Sequence, residues 1–436
     1  MLRIFGLLLF GLTIVSATRA EANISRSGGV RFLENLSWSE VRDMAKRERK
    51  YLFIDCYASW CAPCRTMDNE TYPDERVGTF INQYFLSIKI QCDTSKGDGV
   101  NVKARYADAH QIVNEYGINA YPTYLFFSPD GELVHKGIGY YAPEEFIGLA
   151  RSAMKPALQY YTLIKEYRAG ELSYNKMAYL AELANQNGDE KLFVSLIRDY
   201  IRGYINNMPD SGFYVKHRLD SVLRYVSQLR TDDRIVLWLI QHSRQADSIY
   251  RRKGFSERVV DQVIYQDKIM PVIERAKETG EVPDWHQLSK DIVGEFGDMH
   301  MDAVLHGKID WYQYRGDWEQ FCNALLDRLD NWKEMKDVKN SDNRELINTY
   351  AYGVFLRSKD VNKLERALSW ITLVVDVVED STKHASNFMD TKANLLYRLG
   401  RGEEAISLEN KAAMINPFDN RTKVALEAMK EGKPTW

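Results

Sequence analysis

The stretch that most constrains this chain is Trp60-Cys61-Ala62-Pro63-Cys64-Arg65, entered from Tyr51-Leu52-Phe53-Ile54-Asp55-Cys56-Tyr57-Ala58-Ser59. An apolar run ended by small and polar residues reads as a buried strand passing into a turn. The two cysteines then fall in the first turn of a helix. There backbone N–H groups and the helix dipole stabilise a thiolate, and the pair can close a reversible disulfide. Strand, Cys-x-x-Cys and helix in that order read as redox chemistry. Zinc needs four ligands, and the sequence has no second Cys-x-x-Cys and no His-x-x-x-His. Haem attachment needs a histidine after the second cysteine, where Arg65 stands. An inert structural disulfide is the remaining alternative, and the residues around the motif weigh against it.

At 436 residues the chain exceeds one typical core, so two to three domains are expected. A net charge of -3 without a basic tract gives no case for nucleic acid as a partner. The 26 tyrosines and 9 tryptophans read as core and helix-packing residues. The N-terminus has a basic start at Arg3, a short apolar run from Ile4 to Val15 and small residues through Ala20. That pattern, over residues 1–20, is a secretory signal peptide, too short for a comfortable membrane span. The mature protein is expected to be exported and soluble, in a periplasm or cell envelope where disulfides persist. Five cysteines at irregular spacing are no disulfide scaffold, which singles out the Cys61–Cys64 pair.

Residues 28–155 read as one α/β domain. Ser37 and Glu40 have capping-box spacing at the start of a helix. The strand Tyr51–Tyr57 follows, then a helix from Cys61 to about Glu70, then a strand over Leu86–Asp93. A helix over about Val102–Tyr116 ends at Gly117, and Tyr124–Phe127 with Glu132–Lys136 makes a hairpin. A last helix runs from near Pro143 to Pro156.

These residues resemble a thioredoxin-family domain. Trp60-Cys61-Ala62-Pro63-Cys64 is similar to the family's Trp-Cys-Gly-Pro-Cys, and Asp55 stands at its buried-acid position. Lys89-Ile90-Gln91-Cys92-Asp93 resembles the Lys-x-x-x-Asp of its central strand, and Tyr121-Pro122-Thr123 the segment with its cis-proline. Ala62 and Arg65 depart from the usual Gly and Lys, which bears on the redox potential and leaves the chemistry intact.

The resemblance implies roles. Cys61, at an exposed helix N-terminus, attacks a substrate disulfide, and Cys64, one turn in, resolves the mixed disulfide. Pro63 stiffens the first turn, where a missing N–H costs nothing. Asp55, in an apolar strand, has a raised pKa and accepts the proton of Cys64, with Lys89 modulating it. Trp60 covers one side of the site, with a plain packing role as its alternative. Pro122 in the cis form leaves the backbone of Tyr121 free to pair with substrate. Cys56 and Cys92, on neighbouring strands, read as buried inert thiols, a second redox pair being the lesser alternative.

Beyond Pro156 the pattern turns helical. Met177, Leu180, Ala181 and Ala184 form one stripe, and Phe193, Leu196, Ile197 and Tyr200 the next. Residues 156–330 read as an α-helical domain broken near Gly254, Gly280–Pro283 and Gly294–Gly297. Met299-His300-Met301 with His306 lacks a carboxylate or cysteine partner in the sequence and reads as core or surface, and Cys322 reads as structural. The charged stretch Trp332–Glu345 reads as a surface connection. Within residues 331–436 the last unit, about 34 residues long, resembles a tetratricopeptide repeat. Alanines stand where its helices meet, with Gly400 in the turn and Pro417 at the close.

The fold class expected is therefore an α/β thioredoxin-like domain followed by an all-α, TPR-like helical-repeat domain. The function expected is that of an exported thiol–disulfide oxidoreductase acting on protein disulfides or dithiols. It needs no dissociable cofactor and no metal, and by resemblance draws electrons from a membrane donor. The rival reading is a helical binding or chaperone-like module that holds a peptide or protein partner, with the first domain mainly structural.

Overall fold

The computed structural model describes residues 28–34, 36–331, 337–378 and 383–436. The expected leader, residues 1–20, lies outside them, as does part of the Trp332–Glu345 connection. The chain forms two compact units, one ending at Ile197 and the other spanning Arg198–Trp436.

In the first unit, helix α1 (Trp38–Glu48) starts on the expected capping box: Ser37 and Glu40 each satisfy the other's backbone N–H. Strand β1 (Tyr51–Tyr57) follows, buried on both faces as its continuous apolar run requires. Helix α2 (Ala62–Thr66) then leads into a π-helical turn over Met67–Thr71. Next come helix α3 (Glu75–Tyr84), strand β2 (Phe85–Gln91) and helices α4 (Val100–Ala104) and α5 (Tyr106–Tyr116). Strands β3 (Thr123–Phe127) and β4 (Leu133–Ile138) and helix α6 (Pro143–Ala153) complete the α/β part. The sheet has four strands in the order β2-β1-β3-β4, with β1 and β2 parallel and the other pairs antiparallel.

Period-two alternation sorts the strand residues into two cores. Leu52, Ile54 and Cys56 face one side, with Trp38 and Val41 of α1 and Ile112 of α5. Phe53 faces the other, with Met67, Val77, Ile81 and Phe146. Asp55 is therefore delivered, with Phe53, to an apolar face.

Helix α3 lies where the sequence reading assigns no element. Its N-cap Asp74 accepts the Arg76 N–H at 2.8 Å, but Gly78 interrupts its apolar stripe. The glycine is needed for packing. A Cβ there would sit 2.2 Å from the Gly28 carbonyl oxygen, because the segment around Gly28-Gly29 passes directly over the helix. That segment is tied down by Val30 N–H to the Tyr72 carbonyl at 2.8 Å and Arg31 N–H to Asn82 at 2.8 Å. The same segment makes one isolated bridge to the sheet, Phe32 to Ser87. Gly78→Ala is expected to destabilise the protein by about 1–3 kcal/mol through overpacking. Gly148→Ala in α6, where a Cβ meets nothing within 4 Å, should be neutral or stabilising. Urea titration of both variants checks the contrast, and equal midpoints would contradict it.

Pro156 marks where strands give way to helices, yet the compact unit continues through it. Tyr160, opening helix α7 (Tyr160–Arg168), donates its backbone N–H to Nδ1 of buried His135 at 3.0 Å. Burial pushes His135 down to about 4, so the imidazole is neutral and that nitrogen is an acceptor. Leu163 is fully buried, and helix α8 (Tyr174–Gln186) packs on α7.

The second unit is helical. Gly254 and Gly280 take left-handed backbone at the expected breaks, while Gly294 lies inside the helix Trp285–Phe296. His300 does have a carboxylate partner, contrary to the sequence reading. Its Nδ1 lies 2.7 Å from Asp261, a contact between residues 39 apart that no local pattern announces. The helix Ser341–Arg357 begins inside the expected surface connection, capped by Asn340. From there each helix packs on the next: Val361–Val375, Lys383–Arg398, Gly402–Ile415 and Asn420–Lys430. Their shared core includes Ile347, Ala351, Leu364, Ala367, Leu396 and Ala405. Cys322 is buried in that core. Among the described residues no helix is long and apolar enough to cross a membrane.

Candidate active site

Cys61 and Cys64 are joined by a disulfide. Cys61 is the N-cap of α2, and its sulfur accepts the Cys64 N–H at 3.1 Å. Pro63 occupies the first turn and is exposed, as is Ala62. The sulfurs thus sit where the helix leaves free N–H groups and a partial positive charge.

One expectation fails. Cys61 is not exposed: only 2% of its surface is accessible, against 3% for Cys64. Its sulfur is turned inward to Cys64, and the side chains of Tyr57 and Tyr121 pack on the pair. Trp60, 69% exposed, stands edge-on against Tyr121 with ring centres 5.9 Å apart. Trp60 thus touches the cover, which Tyr121 and Tyr57 form together. An edge-to-face aromatic pair contributes about 0.5–1.5 kcal/mol. Trp60→Ala should accordingly speed reduction of the disulfide by dithiothreitol by roughly 2- to 10-fold. Stopped-flow reduction kinetics check this, and an unchanged rate would show that the pair holds nothing shut.

The loop before Cys61 is held by contacts the sequence reading did not assign. Asp93 accepts the Ser59 N–H at 2.8 Å and the Ser59 hydroxyl at 2.5 Å. Arg65 donates to the Ser59 carbonyl at 3.3 Å. Asp93 was legible as a motif residue, but its partner, 34 positions away, was not. The Tyr121–Pro122 peptide bond is cis, and the Pro122 carbonyl accepts the Gly139 N–H at 2.9 Å.

Asp55 is 1% exposed. It pairs in register with Lys89 of β2 and Tyr124 of β3. Burial pushes its carboxyl up from 3.8 to about 6, against the pull of the Lys89 ammonium and the Tyr72 hydroxyl. Lys89 Nζ lies 3.5 Å from Asp55 and also pairs with Asp68 on the π-helical turn. Tyr72 faces the carboxylate too loosely for a hydrogen bond of ordinary geometry, so Oδ1 keeps an open lone pair. Lys89 also lies over the Tyr57 ring, 4.8 Å from its centre. Asp68 and Tyr72 carried no signal in the sequence, because their relation to Asp55 exists only once the helix lies across the sheet. Among the described residues no group of His, Cys, Asp and Glu is placed to hold a metal ion.

A mixed sheet with a disulfide at the strand-to-helix turn and a buried acid in the adjoining strand defines a thioredoxin-like class of domain. Residues 38–153 match the thioredoxin-like domain family. Thioredoxin of Mycoplasmoides gallisepticum is 28% identical over 106 residues, covering 24% of this chain and 84% of that protein. Thiol:disulfide interchange protein DsbD of Yersinia enterocolitica is 26% identical over 106 residues, 23% of this chain and 16% of DsbD. A putative disulphide-isomerase from Bacteroides thetaiotaomicron, known from its solution structure, is 27% identical. That match covers 30% of this chain and 98% of the other, at a TM-score of 0.25. The chain is thus a thioredoxin-like domain followed by an all-helical region.

Proposed function

We propose that this chain is an exported thiol–disulfide oxidoreductase whose substrates are protein disulfides or dithiols. The observation that carries the reading is the Cys61–Cys64 disulfide at the N-cap of α2. In the reduced state the Cys61 thiolate attacks one sulfur of a substrate disulfide and expels a substrate thiolate. Cys64 then gives up its proton and attacks the Cys61 sulfur, which releases the second substrate thiolate and restores the pair. Asp55, its ionisation held near neutrality by burial, is the acceptor for the Cys64 proton. The same steps in reverse oxidise a dithiol, so direction follows from the potential of the couple against its compartment. Tyr121, Pro122 and Trp60 flank the sulfurs and form the bed for an extended substrate segment. Two electrons reside in the cysteines themselves, so no dissociable cofactor is required. The thioredoxin-family resemblance supports a membrane electron donor upstream, and the leader pattern of residues 1–20 supports the periplasm or envelope as the address.

The test is reduction of insulin by the full mature chain with dithiothreitol as the terminal reductant. Acceleration over dithiothreitol alone is expected, and none would end the reading.

The helical unit Arg198–Trp436 has its own core and none of the redox residues, which favours a second role as a platform for a peptide or protein. Its stacked helices form TPR-like repeats in this reading. Full-length Cys61→Ala/Cys64→Ala protein should retain partner binding if the platform acts apart from the disulfide.

A further inference from the structure

Strand β4 ends at Ile138, and Gly139-Tyr140-Tyr141 then turn back against the segment that follows the disulfide. Hydrogen bonds on both flanks fix this turn. Gly139 donates its N–H to the Pro122 carbonyl at 2.9 Å and accepts the Tyr124 hydroxyl at 3.0 Å. The Tyr141 carbonyl accepts the Thr71 hydroxyl at 2.7 Å, and its N–H meets the Met67 sulfur at 3.5 Å. Tyr140 is thus held between the Pro122 loop and the π-helical turn that continues from the helix of Cys64. It is nonetheless 43% exposed. A large ring on a fixed backbone gives contact area at little cost in entropy. The Tyr140 hydroxyl donates at 3.1 Å to Glu70, which is exposed on the same π-helical turn. The neighbouring charges are engaged elsewhere. Asp68 pairs with Lys89, Arg65 reaches the Ser59 carbonyl, Glu144 pairs with Arg76 and Glu145 caps α6 at the Ala142 N–H. Among the described residues no lysine or arginine pairs with Glu70.

From this placement we infer that Tyr140 and Glu70 form a further wall of the substrate bed and select protein disulfides with a lysine or arginine beside the reactive cysteine. The wall stands on the Pro122 side, as Trp60 stands on the Tyr121 side. The inference rests on the exchange chemistry proposed above and adds which segments it favours. An extended segment lying along Tyr121 and Pro122 to reach Cys61 meets the Tyr140 ring. The ring takes up apolar surface from any segment, whereas the Glu70 carboxylate attracts only a basic side chain. An exposed charge pair of this kind changes affinity by a few-fold and weakens with salt. The selection is made in binding, so it acts through KM and leaves the sulfur chemistry to Cys61 and Cys64.

The test uses the full-length protein and three peptide disulfides, with dithiothreitol as the terminal reductant. The peptides differ only in the residue on each side of the cysteine: Lys, Gln or Glu. At low salt the wild-type protein should reduce the Lys peptide with kcat/KM roughly 2- to 5-fold above the Gln peptide, the difference lying in KM. Glu70→Gln should remove that difference, and Glu70→Lys should invert the order so that the Glu peptide leads. Tyr140→Ala should raise KM for all three. A residue that only stabilises the fold would not invert a charge preference. Equal kcat/KM for the three peptides with wild-type protein, or a Lys preference that survives Glu70→Lys, would overturn the inference and leave exchange activity standing. Reduction of none of the peptides would end both this inference and the exchange reading beneath it.

Discussion

Cys61→Ser is expected to lower protein-disulfide exchange by on the order of 10³-fold or more, the scale seen when a covalent nucleophile is removed. Cys64→Ser should lose turnover too, but by a different route. Cys61 then attacks with nothing behind it to expel the second sulfur, so a mixed disulfide with substrate accumulates. Non-reducing electrophoresis distinguishes the two: a trapped adduct with Cys64→Ser and none with Cys61→Ser. Equal trapping by both variants would mean that the attacking sulfur has been misassigned. The burial of Cys61 bears on rate rather than on this order of events. It belongs to the closed disulfide, in which the sulfur is turned toward Cys64 under Tyr121.

Asp55→Asn should stabilise the protein at pH 8 by roughly 2–3 kcal/mol, about 1.36 kcal/mol for each pKa unit by which folding raises this carboxyl. The sign follows from proton counting. The folded state holds the Asp55 proton up to about pH 6, while the unfolded chain releases it near 3.8. Between those values the folded state binds more protons, so wild-type stability falls as pH rises through the window. Above it the full cost of a buried carboxylate is present, and the amide escapes that cost. The advantage of the variant should shrink as pH falls from about 6 to about 4 and vanish below. Denaturant titrations at pH 8 and pH 3.5 check this. A variant no more stable than wild type at pH 8 would show that Asp55 is not buried as a charge. Exchange activity should fall in the same variant, because Cys64 loses its proton acceptor.

What the sequence discloses here depends on how local the determining contacts are. The Cys61–Cys64 motif, its strand and the Ser37–Glu40 cap are legible because each is written within a few residues. Helix α3 is not, because Gly78 breaks its stripe for the sake of a segment some fifty residues earlier. Asp55 announces itself as a polar residue in an apolar run, but Asp68 and Tyr72 become its neighbours only when the helical segment crosses the sheet. The Ser59–Asp93 anchor and the His300–Asp261 pair are likewise long-range hydrogen bonds without a pattern. The first unit runs past Pro156 because α7 packs on β4, where buried His135 accepts the N–H that opens the helix. The inward turn of Cys61 is not legible because residue type predicts an N-cap position but not which rings close over it.

The account turns on a disulfide that opens and closes, and a redox titration of the full chain tests it most directly. The protein is equilibrated in thiol buffers of graded potential and trapped by alkylation, and the Cys61 and Cys64 peptides are then read by mass. Both cysteines should become alkylated together, as a two-electron couple with its midpoint between about −270 and −120 mV, the span from thioredoxin to DsbA. A pair that stays joined in the most reducing buffer, or stays open in the most oxidising one, would contradict the account.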